Sequence, residues 1–270
     1  MNAKTKSLFG YIFPALGGLF VNYLYNVIDG IFVGQGIGSA ALGAVNIGVP
    51  FITFVVAIAA MFPKGGATVV AIRMGREDNE GANHAFMTAF SLTILLSVLL
   101  TAVGMVFSRQ IVDLSGARGL SAEMREMSAQ YLFYYSAFSI PMLMSNCLSV
   151  FVRNDGSPTI SFIGMCTGAM ANIFLDWLFI FPFGMGVTGA AVASGLGQVL
   201  SVFVLLSHFV LKRGSLRIKP FKMDLGLMKK SASAVCRRQS HNLQPLLRHF
   251  AITLCWQDWL GISAYRPLAF

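Results

Sequence analysis

The stretch Trp177–Leu211, WLFIFPFGMGVTGAAVASGLGQVLSVFVLLSHFVL, runs for 35 residues without a Lys, Arg, Asp or Glu. A membrane-spanning helix needs only ~20 predominantly apolar residues. The stretch is therefore longer than one span, and Pro182-Phe183-Gly184-Met185-Gly186 divides it between the end of one span and the whole of the next. Working outward, uncharged stretches of 22, 34, 28, 26 and 20 residues occur at 7–28, 30–63, 81–108, 127–152 and 156–175. Lipid supplies no hydrogen-bond partners, so each run is a helix or a barrel strand, and runs this long without alternation favour helices. The sequence predicts an all-α, polytopic bundle of six transmembrane helices at about 8–32, 43–70, 84–107, 128–152, 159–181 and 188–211. The other breaks carry turn chemistry: Gly34-Gln35-Gly36-Ile37-Gly38, the charged Arg76 to Glu80, Ser115-Gly116-Ala117-Arg118-Gly119, and Asn154-Asp155-Gly156-Ser157-Pro158.

Composition agrees. Of 270 residues, 56% are apolar and 11% charged, whereas a soluble domain carries about a quarter charged residues. With 23 Phe and 14 Met, no polar tract or heptad array is long enough for disorder, collagen or a coiled coil. Through residue 230, thirteen Lys and Arg fall on one side of the predicted membrane, and only Arg109, Arg118 and Arg125 on the other. The basic side is cytoplasmic by the positive-inside rule, which places the N-terminus inside and returns the chain there after six crossings. That asymmetry accounts for much of the net charge of +9 without nucleic acid as a partner, and Lys212, Arg213, Arg217, Lys219 and Lys222 are placed to meet anionic membrane lipids. The first apolar run is too long for a cleavable signal and is expected to stay as the first span; the expected address is a bacterial inner (plasma) membrane, multi-pass. Cys147, Cys166, Cys236 and Cys255 form no Cys-x-x-Cys pair, and the four His show no ligand spacing. No cofactor, structural metal or enzymatic triad is expected.

Ionisable residues inside a span cost several kcal/mol unless they face a cavity or a partner. Asp29 lies near the outer end of span 1, with Asn26 and Asn22 on the same helical face. Asp176 lies near the outer end of span 5, with Asn172 one turn below, and span 6 re-enters presenting Ser194 and then Gln198. At ~1.5 Å per residue, Asp29, Asp176 and Ser194 sit roughly 8–10 Å below the outer helix ends, so one polar pocket can hold all three. The alternative reading is an Asp29 that reaches the interface and an Asp176 that caps a helix end. Pro14 interrupts the hydrogen bonding of span 1 and is read as a kink, inert or hinge-like.

With Tyr25-Asn26-Val27-Ile28-Asp29-Gly30-Ile31-Phe32-Val33-Gly34, Arg153-Asn154-Asp155-Gly156-Ser157-Pro158, Asn172-Ile173-Phe174-Leu175-Asp176 and Gly184-Met185-Gly186-Val187-Thr188-Gly189-Ala190-Ala191, the chain resembles the MATE family of multidrug and toxic compound extrusion transporters over residues 8–230. The resemblance implies one lobe of a twelve-helix transporter that expels cationic amphiphilic drugs in exchange for Na⁺ or H⁺. It implies that Asp29, Asn172, Asp176 and Ser194 couple the cation, the last being often Thr in relatives, that a Na⁺ is the one metal ion the site would take, and that Pro14 is the family's bending proline. Asn22, Asn26 and Gln198 are candidate cavity-lining residues. Lys64 departs from the family pattern, which is uncharged at that place in span 2.

Residues 1–230 are expected to form this lobe. Residues 231–270 differ in character: two of three Trp, two of four Cys, four Arg, and no Lys, Glu or Met. A cytoplasmic tail or partner-binding arm is one reading; an out-of-frame translation ending a truncated product is the favoured one. A single lobe has half a cavity, so the expectation includes a chain that is inactive alone and self-associates through its exposed inner face. Two further functions compete with a cation-coupled antiporter: a lipid-linked oligosaccharide flippase, which would need basic residues in its cavity, and a non-transporting membrane fragment.

Overall fold

The computed structural model describes residues 3–218. All regular structure there is helical: α1 (Ala3–Gly36), α2 (Ser39–Met74), α3 (Asn79–Val106), α4 (Ser108–Leu114), a 3₁₀ turn (Ala117–Gly119), α5 (Ala122–Ala137), α6 (Ser139–Asn154), α7 (Pro158–Ile180) and α8 (Gly186–Val210). Helices α1, α2, α3, α7 and α8 are each long and apolar enough to cross a membrane, and α5 with α6 supplies a sixth crossing bent by 51°. The chain is a multi-pass membrane protein. Lys219, Lys222, the expected boundary near residue 230 and the tail with Cys236 and Cys255 lie outside the described residues.

The fourth expected span, read as one helix over 128–152, is thus two helices. Pro141 is the third residue of α6; it offers no N–H, and its ring crowds the carbonyl of Ala137 one turn back. The chain breaks between them at Phe138, with φ −95° and ψ 10°. The Phe138 ring lies where a Cβ on Gly195 of α8 would be, so the elbow is seated against a glycine. Pro14, Pro50 and Pro63, in contrast, are carried inside α1 and α2 without ending either helix.

Side chains sort by solvent rather than by helical stripe alone. Phe13, Phe20, Tyr23, Leu95, Leu99, Phe174 and Phe203 point outward, as expected where lipid is the surrounding medium. Inside, Phe86 of α3 stacks on Phe209 of α8 at 5.3 Å and meets Phe151 of α6 edge-on at 4.9 Å. That cluster, with Leu148, Leu205 and Leu216, fills the end of the bundle that carries the basic loops.

Among the described helices, α7 and α8 make the most extensive contact. Their connection turns tightly through Gly184 and Gly186, each at φ 61°, which an L side chain disfavours. Farther along, a Cβ on Gly197 would meet the Gly168 carbonyl oxygen at 2.7 Å and the Asn172 Cβ at 3.0 Å. Small residues here let two backbones approach.

At the basic end, Asp155 of the α6–α7 loop is buried, and its carboxylate accepts from His208 Nε2 at 2.9 Å, Ser215 N at 2.8 Å and Leu216 N at 3.2 Å. Asn83 Oδ1 accepts from Arg217 N at 2.7 Å. These bonds hold residues 214–217 across the ends of α3, α6 and α8. The sequence placed Asp155 only in a turn and found no partner for His208, because the two are 53 residues apart.

Two stability outcomes are expected. Gly197→Ala must push α7 from α8 and is expected to cost ~1–3 kcal/mol, read as a lower thermal unfolding midpoint in detergent, whereas Gly30→Ala, with nothing within 4 Å of its Cβ, should leave that midpoint unchanged or raise it. Asp155→Ala strands the buried donors of His208 and Leu216 together with the part-buried Ser215 N–H and is expected to cost about 2–4 kcal/mol; amide hydrogen exchange should quicken at Ser215 and Leu216 first.

Candidate functional site

Three helices bring six of the expected residues to one cavity. On α1, Asn22, Asn26 and Asp29 recur every three or four residues and share a face, and Asn26 Nδ2 donates to the Asn22 carbonyl at 2.6 Å. On α7, Asn172 and Asp176 are one turn apart; on α8, Ser194 and Gln198 are likewise. The cavity holds about 320 Å³ and is lined by Asn22, Asn26, Asp29, Asn172, Ser194 and Gln198. The α7–α8 contact sets its floor, where Asn172 Nδ2 donates to Ser194 Oγ at 3.2 Å.

Asp176 does not line the open space. It is fully buried, close enough to Asp29 for the two carboxyls to act on each other. The capping alternative for Asp176 fails on its position: the residue lies inside α7, four residues before the end at Ile180, with its carboxylate inside the bundle. Asp29 likewise points into the bundle, one of its oxygens being sealed from solvent.

Four oxygens stand without a donor: Asp29 Oδ1, Asn172 Oδ1, and both Asp176 carboxylate oxygens. A buried acceptor left unpaired costs about 1–3 kcal/mol, and an unpaired carboxylate more. Among the described residues that line the cavity there is no Lys, Arg or His to offset the charge. Carboxylate, amide carbonyl and hydroxyl oxygens are the ligands of hard cations, so the donor set fits Na⁺, and it fits equally a proton shared between the two acids.

Sequence reasoning missed other walls of this cavity. Tyr25, Tyr131, Tyr135 and Asn146 also line it, and the Tyr131 and Tyr135 rings stand 5.9 Å apart. Asn146 could have been found by the criterion that found Gln198, a lone amide in an apolar run; the tyrosines carry no such mark. Beyond Asn22 and Gln198 a smaller chamber of about 80 Å³ continues toward Ser145, Ser149 and Ser201. There Ser145 Oγ donates to Ser201 Oγ at 3.1 Å, and Ser149 and Ser161 share a hydrogen bond of 2.8 Å. Pro14 lies fifteen residues before Asp29 on α1, away from both spaces, and Lys64 is exposed on α2, also outside them.

Residues 14–178 match the sequence profile of the MatE family. The multidrug export protein MepA of Staphylococcus aureus is 26% identical over 207 residues, covering 76% of this chain and 45% of that protein. The chain thus spans about half the length of the curated relatives it matches. A crystal structure of a MATE protein in the bent conformation superposes with a TM-score of 0.80 at 25% identity, over 97% of this chain and 57% of the other. An outward-facing multidrug resistance MATE family transporter of the MOP superfamily superposes with a TM-score of 0.75 at 28% identity, over 86% and 50%. The profile covers the helices that carry both aspartates, and by it this chain belongs to the MatE family.

Proposed function

We propose that this chain is the coupling lobe of a cation-driven multidrug efflux antiporter, seated in a bacterial plasma membrane with its N-terminus inside. Asp29 and Asp176 take up Na⁺ or H⁺, Asn172 and Ser194 complete the oxygen set, and release of that cation is exchanged for outward movement of a cationic amphiphilic compound. The observation that carries this reading is the group of four donorless buried oxygens around the two acids. Two carboxylates this near each other repel in a low-dielectric site, and a cation or proton removes the repulsion. The cargo follows from the walls: tyrosine faces and a carboxylate attract organic cations, and the space is at the lower end of ~300–1,000 Å³ ligand pockets. A flippase for a pyrophosphate-linked cargo would want cationic walls, and this cavity has none among its described lining residues. The likeness to a multidrug export protein supports the same assignment.

Binding is testable on the 270-residue chain itself. Purified in detergent, it is expected to bind ²²Na⁺ saturably at alkaline pH, or to take up protons near neutrality. Asp29→Asn and Asp176→Asn should each weaken that binding about tenfold or more, the equivalent of ~1.4 kcal/mol. Unchanged binding in both variants would overturn the assignment and leave a non-transporting membrane fragment as the reading. Orientation is tested separately: with native Cys removed, an impermeant thiol reagent applied outside intact cells should label a Cys at position 118 and not one at 76. The reverse pattern would invert the topology.

A further inference from the structure

We propose that the cleft between α4, α5 and α8 at the less basic end of the bundle binds the headgroup of a zwitterionic phospholipid, a site independent of the coupling cavity. The cleft holds about 320 Å³ and its lining includes Arg109, Glu126, Gln130, Phe133 and Tyr134. Arg109 is the first charge after the uncharged run 81–108, and Glu126 the last before the run 127–152, so the pair marks the boundary between headgroups and hydrocarbon. Glu126, Gln130 and Phe133–Tyr134 follow one another along one face of α5. The cleft therefore descends ~12 Å from a charged rim to aromatic walls. That is the order of chemistry along a phospholipid.

The rim carries both signs. Arg109 donates to both oxygens of Glu126 at 3.1 and 3.2 Å, and the two side chains are 72% and 50% exposed. An ion pair this exposed adds little to stability, so a ligand able to serve both partners displaces it at small cost. A phosphodiester accepts from the Arg109 fork and the Gln130 amide. An ammonium donates to Glu126 at the rim. Below the rim, outward-pointing Val106 and Phe107 at the end of α3 continue the apolar surface that acyl chains would follow. An anionic lipid would leave Glu126 facing like charge. The neighbouring Arg125–Asp113 pair closes on itself and offers no free charge of either sign.

The full chain in detergent, titrated with phosphatidylethanolamine or phosphatidylglycerol and read by native mass spectrometry, is expected to retain one phosphatidylethanolamine with about fivefold preference. Glu126→Gln should abolish the preference and Arg109→Gln should weaken both lipids, with Asp113→Asn as a control that leaves the preference intact. Thermal unfolding of each variant establishes that it is folded. No preference in the parent chain, or a preference that survives Glu126→Gln in a folded variant, overturns the proposal. Tighter retention of a cationic amphiphile in Arg109→Gln than in the parent would also overturn it, by making the cleft a site for drug cations.

Discussion

The close approach of α7 and α8 governs the interior of this bundle. Gly168 and Gly197 bring the two backbones to a separation that admits no added carbon, and that separation lets Asn172 and Ser194, 22 residues apart, share a hydrogen bond. Without it Asn172 would have no partner, the floor of the cavity would open, and Asp176 would lose the helix wall that seals it. In lipid no general hydrophobic force draws helices together, so contact of this kind rests on shape and on polar pairing. The glycines supply the first, and Asn172–Ser194 with Ser145–Ser201 the second.

The acids then impose the next condition. A carboxyl with both oxygens inside the bundle and no donor, as at Asp176, is costly enough that a fold retaining it must draw something from the medium or be used for it. The surrounding residues follow that logic: amides and hydroxyls nearby, tyrosines beyond, and arginines confined to the rims. The exposed pair Arg109–Glu126 and the buried pair Asp155–His208 illustrate the contrast. The first can exchange partners with its surroundings, whereas the second can only be broken.

Much of this was legible in the sequence because a bilayer simplifies the problem: an uncharged run of 20 residues has few fates. Five of the charge gaps hold single long helices and the sixth holds the bent pair α5–α6, and the spacing of Asp29, Asp176 and Ser194 from their helix ends already sets the three at similar depth. What escaped was whatever depends on two distant segments meeting. The break at Phe138 needed Pro141 to be weighed, and the same residue type at positions 14, 50 and 63 sits inside unbroken helices. Tyr131 and Tyr135 read as ordinary aromatic content of a span. Asp155 read as a turn residue until residues 214–217 folded over it. Asp176 read as a wall of the same pocket, whereas it is buried outside the open space, a matter of packing that spacing does not encode.

The elbow between α5 and α6 has a mechanical meaning. Its vertex ring presses into α8 at Gly195, the residue next to Ser194, while the two arms carry Tyr131 and Tyr135 on one side and Asn146 on the other. Flexing the joint would thus move three walls of the cavity and the hydroxyl on its floor by a single hinge motion, with leverage set by the arm lengths.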